Sequence, residues 1–213
     1  MQIAELWRYP VKSMAGEQIG AAELTPDGIV GDRLVQVHGP EGVRTSRRHS
    51  GLLGLHGTLG TDSTPLVDRH LWRSDEAAAL VRQAAGGDAF LVADDSPERF
   101  DILPLLVATD GSVAAFGRDR RRLRPNLLLG GVEGLAERQW EGRALAIGDA
   151  IVGLHSLRGR CVMTTFDPDT IEQDKEVLRD IARRFDGQLC LNAWTIRPGV
   201  VHVGDSVELL EHP

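Results

Sequence analysis

Short β-like runs punctuated by glycine and proline dominate this chain, and that pattern constrains its fold more than any other feature. Residues 3–9 alternate apolar and polar side chains and then meet Pro10. Residues 34–38 read as a strand ending in the turn Gly39-Pro40-Glu41-Gly42. Residues 127–129, 144–147 and 151–155 are further strand candidates. So are 190–196 and 200–210, separated by the turn Pro198-Gly199. Two segments read as helices. Ser74 can cap the first, with Asp75 and Glu76 in its first turn and Gly86-Gly87 at its stop. In the second, over 175–185, Val177, Leu178, Ile181 and Phe185 fall at helical spacing. A shorter helix is expected near Ser112. Many short strands with few helices predict a β-rich α+β fold, a barrel with helices at its periphery.

The 213 residues suffice for one large domain or two small interleaved ones. No apolar run approaches the ~18 residues of a transmembrane helix. The opening Met-Gln-Ile-Ala-Glu-Leu-Trp has neither a basic region nor a signal core, so no targeting peptide is expected. A net charge of −7 argues against nonspecific nucleic-acid binding. Two cysteines, Cys161 and Cys190, give no disulfide framework; a bridge between them is disfavoured and a reducing cytoplasm fits. The expected setting is therefore cytoplasmic, with no membrane and no nucleic-acid partner.

The unusual residue is Cys161, within Arg160-Cys161-Val162-Met163-Thr164-Thr165-Phe166-Asp167-Pro168-Asp169-Thr170. A buried structural cysteine rarely stands between an arginine and such a turn. A nearby cation such as Arg160 lowers a thiol pKa, and the thiolate is the form that ligates metals. Asp167 could orient a site or move a proton, although it could equally just begin the Asp-Pro-Asp turn. In Tyr9-Pro10-Val11-Lys12-Ser13, Lys12 and Ser13 can offer an ammonium and a hydroxyl to an anion, or form a solvated turn. Pro26-Asp27-Gly28 is a turn signal, and the following Gly31-Asp32-Arg33 reads as an ion pair on a solvated edge with Arg33 entering a strand. Val43-Arg44-Thr45-Ser46-Arg47-Arg48 reads as a basic surface strand. Residues 118–124 hold five arginines in seven positions, usually the mark of a solvated basic loop.

Together these segments resemble the MOSC-domain proteins, the molybdenum cofactor sulfurase C-terminal family, and within them the amidoxime-reducing branch. The resemblance runs from Tyr9 to about Val207 and is strongest at Lys12-Ser13 and Cys161. It implies an N-terminal β region over 1–105 of the MOSC_N type and a MOSC β-barrel core over 106–213, interleaved into one unit with peripheral helices. It further implies that Cys161 ligates molybdenum and that Lys12, Ser13 and Arg33 hold the phosphate of the molybdenum cofactor. Arg124 and Asn126, in an Arg-Pro-Asn that matches the family's Arg-Phe-Arg-Pro-Asn with Leu123 for Phe, would hold its polar groups, and Arg160 would join them. Ser112, in Thr109-Asp110-Gly111-Ser112, aligns with a turn that touches the pterin. The resemblance also leaves open pyridoxal phosphate binding. Ser46 stands where the family has glutamine, and Ile171 where it has glycine.

The activity implied is reduction of N-hydroxylated compounds (hydroxylamines, amidoximes, N-hydroxylated bases) by oxygen-atom transfer. The chain has too few cysteines for an iron–sulfur cluster and no Gly-x-Gly-x-x-Gly after a strand. Electrons would come from a separate ferredoxin, flavodoxin or cytochrome-type chain, with the arginine loop as a docking surface. The alternative is a noncatalytic carrier of sulfur, as a persulfide on Cys161, or of the cofactor itself.

Overall fold

The computed structural model describes residues 1–211. The chain begins with β1 (Gln2–Arg8), β2 (Glu17–Ile19), β3 (Ala21–Thr25), β4 (Gly28–Ile29), β5 (Val35–Gly39), β6 (Gly42–Arg44), β7 (Gly57–Leu59), β8 (Pro65–Val67) and β9 (His70–Leu71). Helix α1 (Asp75–Ala85) follows, then β10 (Phe90–Ala93), β11 (Leu105–Thr109), α2 (Asp110–Phe116) and β12 (Leu127–Gly130). The C-terminal part runs β13 (Ala144–Ile147), β14 (Ala150–Gly159), α3 (Glu176–Phe185), β15 (Gln188–Arg197), β16 (Gly199–His202) and β17 (Val207–Leu210).

The main sheet has eight strands in the order β17-β13-β14-β15-β11-β12-β1-β2. Its pairs are antiparallel except β11 with β12, which helix α2 joins as a parallel crossover. The expected closed barrel is not formed as a continuous ladder. Only the bridge Gln2–Ser206 and a few neighbouring backbone bonds, such as Ile3 N–H to Asp205 O at 2.9 Å, approach across the gap between β1 and β17. The reason lies in the stretch 200–210, which the alternation predicts as one strand. It splits into β16 and β17 because Gly204 turns at φ 95° and Asp205 accepts the His202 N–H at 2.7 Å.

One core lies within the main sheet. Leu6, Leu127, Leu129, Leu145 and Leu154 are fully buried there, each contributing about 1.5–3 kcal/mol of burial. Helix α1 starts where Ser74 accepts the Ala77 N–H at 3.2 Å, and it buries Ala77, Val81 and Ala85 against a second core with Val35 and Val37. Helix α3 buries Val177, Ile181 and Phe185 against a third core beneath β11, β12 and β15, while Leu178 stays partly exposed. These three packings fix the ends of β1, β12 and β14, where the candidate site forms.

Candidate functional site

The exit of β1 is locked to the turn before β5. Lys12 donates its N–H to Val35 O at 2.8 Å, and Arg33 donates its N–H to Tyr9 O at 2.8 Å. At the centre is Asp32, 1 % exposed, which accepts the Tyr9 N–H at 2.6 Å and the Asn126 side-chain N–H at 3.2 Å while pairing with Arg33. The solvated Asp32–Arg33 edge expected from the sequence is thus an interior junction, and Arg33 sits in a turn rather than in a strand. Burial pushes the Asp32 carboxyl above its usual range, opposed by Arg33, the Tyr9 N–H and Asn126.

Ser13, Arg33 and Arg124 all adopt left-handed backbone, with φ of 73°, 54° and 56°. Such conformations cost about 1–2 kcal/mol per L-residue and persist where surrounding bonds over-determine them. All three line one cleft of about 160 Å³, together with Lys12, Asn126, Arg160 and Cys161. The sequence separates these seven residues by up to 149 positions, and the fold brings them to one wall.

Cys161 reaches the cleft from the end of β14 and is a free, partly exposed thiol. The turn 162–165 after it is pinned by Thr164 Oγ1, which donates to Cys161 O at 2.8 Å. Arg160 donates from Nη2 to Leu123 O at 2.7 Å, but its Nε and Nη1 are buried with no acceptor among the described residues. Burial pulls the Arg124 guanidinium below its ordinary value, with nearby Arg33 adding to the effect. Arg124 lies 4.3 Å from the centre of the Tyr9 ring and finds no carboxylate among the described residues. Among the described residues, the cations at the cleft are Lys12, Arg33, Arg47, Arg122, Arg124, Arg158 and Arg160, against the single lining carboxylate Asp101. In a chain of net charge −7, that local excess calls for an anionic ligand.

Two expected site residues lie elsewhere. Ser112 is fully buried in the cap of α2: it accepts the Thr109 N–H at 3.2 Å and Thr109 accepts its own N–H at 3.1 Å. Asp167 does not line the cleft. It accepts N–H bonds from Asp169 and Thr170 at 3.0 and 3.1 Å and pairs with Arg122 at 2.9 Å. The backbone bonds from Thr170 and Asp169, with Arg122, hold its carboxyl below the usual range. Its place is the start of the turn, where it positions Arg122. Most of the arginine loop is engaged in ion pairs, with the Arg120 and Arg121 side chains each still 36 % exposed. Arg120 pairs with Glu5, Arg121 with Asp119 and Asp169, and Arg122 with Asp167; Arg118 alone of the five has neither a partner nor a stacking ring among the described residues.

Four charged lining residues, Arg47, Asp101, Arg122 and Arg158, lie outside the site read from the sequence. Arg158 is two positions before Arg160 on an extended segment, a spacing that puts both on one side, and this signal could have found it. Arg47 belongs to the stretch expected to be a surface strand, which forms strand only over Gly42–Arg44. Asp101 lies in a loop with no periodicity and left no signal. Cys190, the second cysteine, is buried in the third core, where burial pushes its thiol up to about 11. Among the described residues no three His, Cys, Asp or Glu side chains gather as a metal site, so Cys161 would be a lone protein ligand.

Fold and site together define a strand-rich protein with a cation-walled cleft opening on a free thiol. The model of the MOSC domain matches residues 111–208, and that of the MOSC N-terminal beta barrel domain matches residues 1–86. The human mitochondrial amidoxime-reducing component 1 is 30 % identical, covering 98 % of this chain and 82 % of that protein. The mouse protein of the same name is 26 % identical over the same shares. The crystal structure of the YuaD protein from Bacillus subtilis superimposes over the whole chain with a TM-score of 0.56 at 15 % identity, covering 96 % of that chain, a likeness of fold. The chain belongs to the MOSC-domain family.

Proposed function

We propose that this chain is a molybdenum-cofactor-dependent reductase of N-hydroxylated compounds, acting with electrons from a separate carrier. The observation that carries the reading is the convergence of the Cys161 thiol with the buried, acceptor-less Nε and Nη1 of Arg160 in a cleft of excess positive charge. A ligand joining a phosphate, a polar heterocycle and a thiophilic metal fits those donors. The names of the amidoxime-reducing relatives support the reductase class.

In this reading Lys12, Ser13 and Arg33 hold the phosphate, Arg124, Asn126 and Arg160 hold the heterocycle, and Cys161 supplies the thiolate. The bound cofactor would supply a metal able to accept an oxygen atom and change oxidation state by two electrons. In the net reaction the N–O bond breaks, two electrons and two protons enter, and water leaves. Two cysteines cannot hold an iron–sulfur cluster, so the electrons come from a ferredoxin, a flavodoxin or a cytochrome-type chain. A reducing cytoplasm suits two free thiols.

The test is protein made in a host that supplies the cofactor, with molybdenum and pterin measured separately. Wild type should carry about one metal per chain, and Cys161→Ala should lose metal while keeping part of the pterin. Loaded protein should reduce benzamidoxime or 6-hydroxylaminopurine with reduced viologen, and then with ferredoxin or flavodoxin. Full loading without turnover of any N–O substrate overturns the reductase and favours a cofactor carrier. A Cys161 persulfide without metal favours a sulfur carrier.

A further inference from the structure

The only carboxylate that lines the cleft among the described residues touches three of its cations. Asp101 Oδ1 lies 3.3 Å from Lys12 Nζ, and Oδ2 lies 2.8 Å from Arg47 Nη2 and 3.4 Å from Arg158 Nη2. Three separate elements supply the cations: the turn after β1, the segment after β6, and β14. Asp101 itself comes from the loop between β10 and β11. Lys12 has no other ionic partner among the described residues, and its side chain is 14 % exposed. Arg158 is similarly enclosed and bonds Asn192 Oδ1 at 3.1 Å. Lys12 is also the residue that the proposed function assigns to a phosphate.

We propose that Asp101 is the resident counter-ion of this cleft: it neutralises Lys12, Arg47 and Arg158 in the ligand-free protein and yields them to an entering phosphate-bearing anion. The inference rests on the reading of the cleft as an anion site, and adds to it the residue that sets affinity and release. A desolvated ammonium left unpaired destabilises the empty cleft, so a resident carboxylate keeps the empty state folded. The same carboxylate must lose its contacts, or endure a second negative charge beside it, when the anion arrives. Either course weakens binding and speeds release. Asp101 therefore trades affinity for exchange.

The experiment is calorimetric titration of the purified full chain with inorganic phosphate and with pyrophosphate, at fixed ionic strength because such contacts are screened. Wild type, Asp101→Asn, Asp101→Ser, Lys12→Met and the double variant Lys12→Met/Asp101→Asn are compared, each checked for a native near-UV spectrum. Asp101→Asn or Asp101→Ser should bind pyrophosphate about ten-fold more tightly than wild type, as expected for removing a competing charge at a partly buried site. The gain should shrink in the Lys12→Met background, because the most enclosed of the three cations being competed for is gone while Arg47 and Arg158 remain. Two folded Asp101 variants that bind no tighter than a wild type that does bind overturn the counter-ion role and leave the anion site standing. A gain undiminished in the Lys12→Met background overturns it too. If no variant binds either anion, the anion site itself falls, and the counter-ion with it.

Discussion

Replacing Asp32 by alanine strikes the junction on which the cleft is built. The carboxylate accepts the Tyr9 N–H at 2.6 Å, accepts from Asn126 at 3.2 Å, and neutralises Arg33. A buried backbone N–H left without a partner costs about 1–3 kcal/mol. Asn126 keeps contacts to Trp7 O and the Leu106 N–H, so its loss is one ordinary hydrogen bond, about 1 kcal/mol. Breaking a fully buried ion pair costs about 3–5 kcal/mol, but Arg33 is 18 % exposed and can turn toward water, which holds its share to roughly 1–2 kcal/mol. Burial already disfavours the Asp32 charge, so removing it returns part of that cost. The net expectation is a loss of about 3 kcal/mol, a large part of the 5–15 kcal/mol that holds a typical domain. With a urea m-value of about 2–3 kcal/mol/M, the unfolding midpoint should fall by roughly 1–1.5 M. Asp32→Asn keeps an acceptor for Tyr9 and should lose about half as much. A loss below about 1 kcal/mol for the alanine variant would refute Asp32 as the junction of β1, Asn126 and Arg33.

Three other expectations concern single residues. Ile171 is a β-branched residue at φ 60°, so Ile171→Gly should be at least about 1 kcal/mol more stable than Ile171→Ala, as read from paired denaturation curves; at an ordinary backbone position the order would reverse. Ser112→Ala should lose about 1 kcal/mol through the broken cap of α2 and leave pyrophosphate affinity unchanged; a weakened affinity would return Ser112 to the ligand. The third concerns pH. Burial works to raise the Asp101 carboxyl, but Lys12, Arg47 and Arg158 together hold it below its ordinary value. A depressed folded pKa stabilises above the unfolded value, about 3.9 for Asp, and that contribution is lost as pH falls through the folded value. The stability gap between wild type and Asp101→Asn should therefore be fully present at neutral pH and close on acidification below about 4. A gap that widens in acid contradicts the ion-pair geometry.

The sequence alone determined the local features of this protein, because these depend on neighbours along the chain. Alternation and Gly/Pro punctuation placed β13 at its observed bounds and β1, β5, β12, β14 and β15 within a few residues, and Ser74 marked the start of α1. The helical spacing of Val177, Ile181 and Phe185 picked out the buried face of α3. The motifs around Lys12, Arg33, Arg124 and Cys161 singled out residues that share one cleft. What only the tertiary structure decided are the relations between distant segments. Asp32 reads as an edge residue until β1 and Asn126 close over it, since burial belongs to the packed chain and not to a dipeptide. Asp101 has no periodic neighbour, and it meets Lys12, Arg47 and Arg158 only through the docking of three elements. Closure of the main sheet was equally beyond the sequence, because alternation fixes which side a residue faces but not whether the last strand reaches the first. Here the turn at Gly204 leaves those edges joined by one bridge and a few neighbouring backbone bonds among the described residues.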